Sequence, residues 1–255
     1  MYGSYVALGD SFTEGMDDLR PDGTYRGWAD LVALHLAGQV PGFRYANLAV
    51  RGRLLGPIVA EQVGPAIAMR PDLVSLAGGG NDILRGKVDL GTVAATLGDA
   101  VGRLRATGAT VVVFSGADPT HLWPAGHRLM PRAVALHHAV QKLAAQHGAV
   151  HVDLWSDDGF RDVRMWSDDR LHLSTLGHHR AAAHVLERIG VPPLAGWREE
   201  LPPGVALPWL RAREADLRWA RRHLAPWVSR RMRGRSSGDL IAAKRPTLDP
   251  LTDET

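Results

Sequence analysis

Through the first 190 residues, short apolar runs alternate with longer amphipathic stretches. The runs Tyr5–Leu8, Tyr45–Ala49, Leu73–Leu76, Thr110–Phe114 and Val150–Leu154 are apolar along most of their length and bounded by Gly, Pro or Asp. That is the pattern of strands buried on both faces. Between them lie helical patterns over Trp28–Ala37, Leu54–Met69, Thr92–Thr107, Ala133–Gln146 and Leu176–Ile189. The alternation predicts an α/β fold, a parallel sheet with helices on both faces and right-handed crossovers. Ligands on such sheets bind beyond the C-terminal ends of the strands. Chemistry is therefore to be sought in the residues that follow each strand.

The pattern changes at Val191-Pro192-Pro193. Beyond it Leu210, Leu217 and Leu224 recur every seven residues, with Ala220 and Trp227 on a neighbouring line, one apolar stripe at helical spacing. Pro226 should end or kink this helix near Leu224–Ala225, and residues 236–255 read as a fraying terminus. The expected organisation is a domain over 1–196 and a basic, amphipathic helical extension over 197–255 with a flexible C-terminus. No acid separates Arg218, Arg221, Arg222, Arg230, Arg231, Arg233 and Arg235. Such a run is the solvated face of a docked helix, or else residues 208–235 form a patch for an anionic membrane surface or an acidic partner. In the membrane case Trp209, Trp219 and Trp227 would meet the lipid. Nucleic acid is not expected as a partner.

Composition narrows the chemistry. The 255 residues are 45% hydrophobic and 22% charged, with a net charge of +3, close to the globular average. The absence of cysteine excludes a thiolate nucleophile, an iron–sulfur cluster and every Cys-based zinc site. The longest stretch without Asp, Glu, Lys or Arg, Leu31–Phe43, falls short of the ~20 apolar residues of a spanning helix. The N-terminal MYGSYVALGDS has neither a basic n-region nor an apolar h-region, so a cytoplasmic location is expected. Twelve histidines are present, but the pairs His137-His138 and His178-His179 diverge around a helix and no HExxH occurs. No metal or other cofactor is expected, and neither a Walker loop nor GxGxxG appears.

Four segments follow or flank the strands. After the first comes Gly9-Asp10-Ser11-Phe12-Thr13-Glu14-Gly15. Ser11 is placed either to present a nucleophile or to cap a helix, with Glu14 completing a Ser-x-x-Glu capping box. After the second comes Val50-Arg51-Gly52-Arg53, where Gly52 permits positive φ and a close ligand approach. After the third, Gly78-Gly79-Gly80-Asn81-Asp82 offers a primary amide to a developing negative charge. Near the end of the α/β region, Asp169 precedes His172 by three residues, a spacing that lets a carboxylate fix the imidazole tautomer. Asp168 at four residues, and the pair Asp118/His121 after the fourth strand, satisfy spacing equally well.

Taken together and in this order, the segments resemble those of the SGNH superfamily, the GDSL-type esterases and lipases. The resemblance implies a nucleophile at Ser11 and an acid–base pair at Asp169 and His172, in preference to Asp118/His121. It further implies an oxyanion hole from the N–H groups of Ser11 and Gly52 and the amide of Asn81. Phe12 stands where that family's signature has Leu. The implied fold is a flavodoxin-like three-layer α/β/α sandwich with five parallel strands. The implied activity is carboxylic ester hydrolysis through an acyl-enzyme, on an acyl or acetyl ester of a small molecule, sugar or lipid, with thioester cleavage, acyl transfer and lysophospholipid cleavage as alternatives. Phe12, Leu55, Ile83, His121, Trp123 and Trp166 flank the motif loops and are candidate pocket walls. The resemblance covers residues 5 to about 190 and says nothing of 197–255.

Overall fold

A computed structural model describes residues 1–85, 87–202, 209–233 and 236–251. The side chains of Trp209, Leu210, Arg230 and Arg231, and the whole of Arg235, lie outside the described residues. The five expected strands form as β1 (Ser4–Leu8), β2 (Arg44–Asn47), β3 (Leu73–Leu76), β4 (Thr110–Ser115) and β5 (Val150–Asp153). They pair in parallel in the order β5-β4-β3-β1-β2, the flavodoxin-like arrangement. The pleat divides β1 between two cores. Tyr5 and Ala7 face one side with Trp28, Val32 and Leu186; Val6 and Leu8 face the other with Ile58, Leu97, Leu104 and Val140. Period-two alternation in a strand buried on both faces requires this division.

The helices that cover the sheet match the expected ones to within a few residues: α2 (Gly27–Ala37) and α8 (Thr175–Arg188) on the first face, α6 (Leu90–Arg105) and α7 (Met130–His147) on the second. The helix expected over Leu54–Met69 forms as α3 (Leu55–Ile58) and α4 (Gly64–Met69), joined by a π turn over Val59–Val63. Two single-turn helices, α1 (Ser11–Glu14) and α5 (Gly80–Ile83), open directly from the loops after β1 and β3.

The C-terminal region departs from expectation in two ways. Pro226 does not end the helical segment. The regular helix is instead interrupted just before it: a π turn at Ala220–Leu224, close to the expected break, carries α9 (Trp209–Trp219) into α10 (Ala225–Met232), with the Ala225 N–H bonded to the Ala220 carbonyl. Residues 245–250, expected to fray, form β6 (Arg245–Pro250), which pairs antiparallel with β2 and makes the sheet six-stranded and mixed. Pro246 and Pro250 are tolerated because this strand is an edge. Lys244, just before it, is half-buried and donates to the Tyr25 and Arg26 carbonyls and to Asp30 Oδ2 at 2.9 Å. No helix among the described residues is long and apolar enough to cross a membrane.

Candidate active site

The strand order reverses between β1 and β3, the switch point at which open α/β sheets bind ligands. Ser11 stands at the end of one of these strands and Asn81 at the end of the other. Gly9 turns the chain out of β1 at φ +155, where a Cβ would meet Thr13 Oγ1 at 2.5 Å and the Ala77 carbonyl at 2.8 Å. Gln62, buried in the π turn, clasps the same residue from both sides. The Gly9 N–H donates to Gln62 Oε1 at 2.8 Å, and Gln62 Nε2 donates to the Gly9 carbonyl at 2.9 Å. π turns recur at functional sites, and here the bulge supplies the residue that fixes the nucleophile turn.

Ser11 is not a cap. Asp10 caps α1, its carboxylate accepting from the Phe12 N–H, so Ser11 is the first residue of the helix. Burial pushes the Asp10 carboxyl up to about 6, against the Phe12 N–H and the charge on His172, which pull it down. Glu14 does not close a capping box either. It is buried and accepts from the N–H and guanidinium of Arg51, whose cation lies 5.0 Å over the Tyr25 ring. The nucleophile turn and the loop carrying Gly52 are thereby joined.

The acid and base arrive on a tight loop before α8. Its base is closed by the Ser167 N–H to the His172 carbonyl at 2.9 Å and the Ser174 N–H to the Met165 carbonyl at 2.9 Å. Asp169 Oδ1 accepts from the N–H groups of Leu171 and His172, and Oδ2 sits 2.6 Å from His172 Nδ1. His172 Nε2 lies 2.9 Å from Ser11 Oγ. The carboxylate can only accept at Nδ1, so Nε2 presents a lone pair to the serine hydroxyl. Burial opposes ionising His172, but the Asp169 hydrogen bond and the charges of Asp169, Asp17 and Asp10 outweigh it, raising its pKa above 6.5. Burial likewise disfavours the Asp169 carboxylate; its bonds to His172 and the loop N–H groups reverse this and hold it below the usual range.

Of the rival acids, Asp168 is exposed. His121 of the rival pair is bound to the Asp118 and Arg161 backbone carbonyls, so neither ring nitrogen is directed at Ser11. One acid went unread in the sequence. Asp17 lies 3.7 Å from His172 Nδ1 and shares Ser167 Oγ with Asp169, at 2.6 and 2.7 Å. Its φ of +70 is a signal only a structure shows. Asp17, Asp169 and His172 also place three ligand-type atoms within 4.8 Å of one another, but the 2.6 Å Asp169–His172 bond occupies the imidazole nitrogen an ion would need. His178, beside the site, is locked neutral. Its Nδ1 accepts from the Trp28 N–H, its Nε2 faces the Met16 carbonyl, and burial lowers its pKa to about 4.

The oxyanion candidates are less open. Gly52 has φ +72, but its carbonyl accepts from Ser236 Oγ at 3.2 Å and the C-terminal segment packs over it. Asn81 Nδ2 donates to Asp10 Oδ2 and to the Arg53 carbonyl, both at 3.0 Å, so an oxyanion would have to displace one of these acceptors.

Ser11, His172 and Asn81 line a cavity of about 200 Å³ with Ile83, Leu84, Phe114, Leu129, Leu136 and Trp155. Of the candidate walls, Phe12, Ile83, Trp123 and Trp166 line it and two do not. Leu55 is swallowed by the core at 1% exposure, its N–H donating to Asp82. His121 is held away by the carbonyls named above.

The sequence matches the GDSL-like lipase/acylhydrolase family over residues 7–180. No curated protein matches the chain. Among solved structures, Axe2, an acetylxylan esterase from Geobacillus stearothermophilus, is 21% identical with a TM-score of 0.60, covering 76% of this chain and 97% of that one. Two further structures of that esterase are described as catalytic mutants, one in a serine and one in a histidine. LAE5, an alpha/beta hydrolase from the metagenome of Lake Arreo, Spain, is 20% identical with a TM-score of 0.61, covering 74% and 95%. TesA is 23% identical with a TM-score of 0.60, covering 73% and 98%. At these identities the structural likeness is one of fold. The family match spans most of the chain and includes every segment named above except the C-terminal one, so the chain belongs to the GDSL-like lipase/acylhydrolase family and is a carboxylic ester hydrolase.

Proposed function

We propose that this hydrolase cleaves esters of short- to medium-chain acids through an acyl-enzyme on Ser11. The observation that carries the reading is the Ser11–His172–Asp169 chain, at 2.9 and 2.6 Å, opening onto a cavity walled by aliphatic and aromatic side chains. Ser11 Oγ attacks the ester carbonyl as its proton passes to His172 Nε2, and Asp169 stabilises the imidazolium. The oxyanion is met by the N–H of Ser11, the N–H of Gly52 and the Asn81 amide once it leaves the Arg53 carbonyl. His172 then protonates the departing alcohol, and water repeats the sequence on the acyl-enzyme. The mostly apolar walls, with Asp118, Thr120 and His137 among them, suit an alkyl acyl chain.

A series of p-nitrophenyl esters from acetate to laurate tests this, with Ser11→Ala beside the wild type. Burying a methylene is worth about 0.8 kcal/mol, so kcat/KM should climb about four-fold per carbon until the cavity fills. Acetate as the best substrate would reverse the chain-length reading. Activity surviving Ser11→Ala would remove Ser11 as nucleophile.

A second reading concerns where the ester is met. Leu217, Leu224 and Val228 are exposed and share one groove with Arg221 and Arg233, apolar and basic groups suited to an anionic lipid surface. Co-sedimentation with phosphatidylglycerol vesicles, lost in Leu224→Glu and absent with phosphatidylcholine, is the expected result. Equal recovery in the supernatant with both lipids overturns it.

A further inference from the structure

The acid and the residue after it, Asp169 and Arg170, are gripped by a helix that lies beyond the family match. Trp219, on α9 and only 9% exposed, donates its indole N–H to the Asp169 carbonyl at 2.8 Å. Asp216, one turn earlier, accepts from Arg170 Nη1 at 2.8 Å, and the same nitrogen donates to the Leu122 carbonyl at 3.0 Å. The Arg170 cation sits 5.1 Å over the Trp219 ring. From the cavity side, Trp123 Nε1 donates to the Arg170 carbonyl at 2.7 Å. Arg170 is therefore tied down at its backbone, its charge and its π contact, while its φ is +59. A non-glycine residue stays left-handed only where its surroundings over-determine it, and here α9 provides much of that determination.

The consequence lies at the next residues in either direction. Asp169 must keep its carboxylate on His172 Nδ1, and His172 must keep Nε2 on Ser11, while only Arg170 and Leu171 separate acid from base. If Arg170 relaxes, the peptide planes on both sides of it turn. We propose that Trp219 and Asp216 are positioning residues for the Asp169–His172 pair, so that a helix outside residues 7–180 completes the catalytic site. The proposal rests on the serine-hydrolase reading above.

The test uses the full chain in four forms: wild type, Trp219→Phe, Asp216→Asn and, as a control on the exposed side of α9, Glu214→Gln. Trp219→Phe removes the indole N–H and keeps a ring for Arg170. Displacing catalytic groups by about 1 Å costs on the order of 10²-fold, so kcat on a p-nitrophenyl ester should fall by about that factor while KM stays within a few-fold. Asp216→Asn should lose less, in the same direction, and Glu214→Gln nothing. Two readouts do not depend on the choice of ester. Ser11 labelling by a fluorophosphonate should slow in step with kcat, and the low-field NMR resonance of the His172 Nδ1 proton should broaden or vanish. Folded Trp219→Phe and Asp216→Asn that both keep the wild-type labelling rate and Nδ1 resonance would overturn the proposal. If Trp219→Phe does not fold, Asp216→Asn decides alone. If the wild type cleaves none of the esters, the substrate reading fails, and the labelling rate and proton resonance still decide the positioning role.

Discussion

The nucleophile turn and the acid–base loop meet at a 2.9 Å hydrogen bond, yet they are held by different parts of the molecule. The nucleophile turn is fixed from inside the sheet. Gln62 clasps Gly9, Asn81 holds Asp10, and Glu14 ties the turn to Arg51, all among residues 9–81. The acid–base loop rises from Met165, Trp166 and Leu173, buried in the core, and takes side anchors from Asp17, just past the nucleophile turn, and from α9. The first half is thus held by the loops of the sheet alone, while the second is also held by a helix beyond the family match. Damage to the first should appear as lost folding or lost charge stabilisation, and damage to the second as a misdirected proton.

The largest effect that would sharpen this contrast is at Asn81. Removing one oxyanion donor typically costs 10²–10³ in kcat, and Asn81→Ala should lose about that much with KM little changed. Its amide is committed at rest to Asp10 Oδ2 and the Arg53 carbonyl. If the role were only structural, the variant would show a lowered unfolding midpoint with kcat near wild type. Steady-state kinetics and a urea titration on the same preparation separate the two.

Gln62 comes next. Gln62 is 2% exposed, so Gln62→Ala strands the Gly9 N–H in the core and leaves the Gly9 carbonyl with the Val50 N–H as its remaining donor. Each buried group left unpaired costs on the order of 1–3 kcal/mol, a drop that a urea titration resolves directly. A Gln62→Ala protein as stable as wild type would show that Gly9 is fixed without the clasp, and the contrast between an internally and an externally held half would weaken.

What could be read from the sequence follows the same division. Apolar runs located the five parallel strands and covering helices, because burial on both faces imposes a composition that survives without context. Ser11 was legible as a candidate because a strand end places it, whereas spacing left Asp169/His172 level with Asp118/His121 and the resemblance to the SGNH family made the choice. Gln62 was not, since its glutamine sits in an amphipathic stretch that reads as one plain helix, and nothing local announces a π turn. β6 was missed because Arg245-Pro246-Thr247-Leu248-Asp249-Pro250 is an edge strand, more than half exposed and too polar to show a buried pattern. The tail's apolar stripe was legible as a stripe but not in its division. Leu217 and Leu224 of the stripe stay exposed, and Trp219, expected at the lipid in the membrane case, instead turns in to the catalytic loop, because a partner 50 residues away selects the docked face.

The smallest expected effect, and the most specific to the outer half, is at Asp17. One Ser167 hydroxyl lies between the Asp17 and Asp169 carboxylates, and Asp17 Oδ2 is 3.7 Å from His172 Nδ1. Asp17 thus adds a second negative charge beside the imidazole without displacing Asp169, and it is one of the charges that raise the His172 pKa. General-base catalysis needs His172 neutral, so activity falls as pH drops through that raised value, and the acid limb of kcat/KM should lie above pH 6.5 in the wild type. Asp17→Asn removes a charge that favours the imidazolium. The limb should therefore move to lower pH, with the plateau at high pH nearly preserved because Asp169 still orients the ring. A limb that stays in place would mean that Asp169 and Asp10 set the titration without Asp17. A plateau that collapses would mean that Asp17 holds the loop through Ser167, making the outer clamp a matter of geometry on both sides.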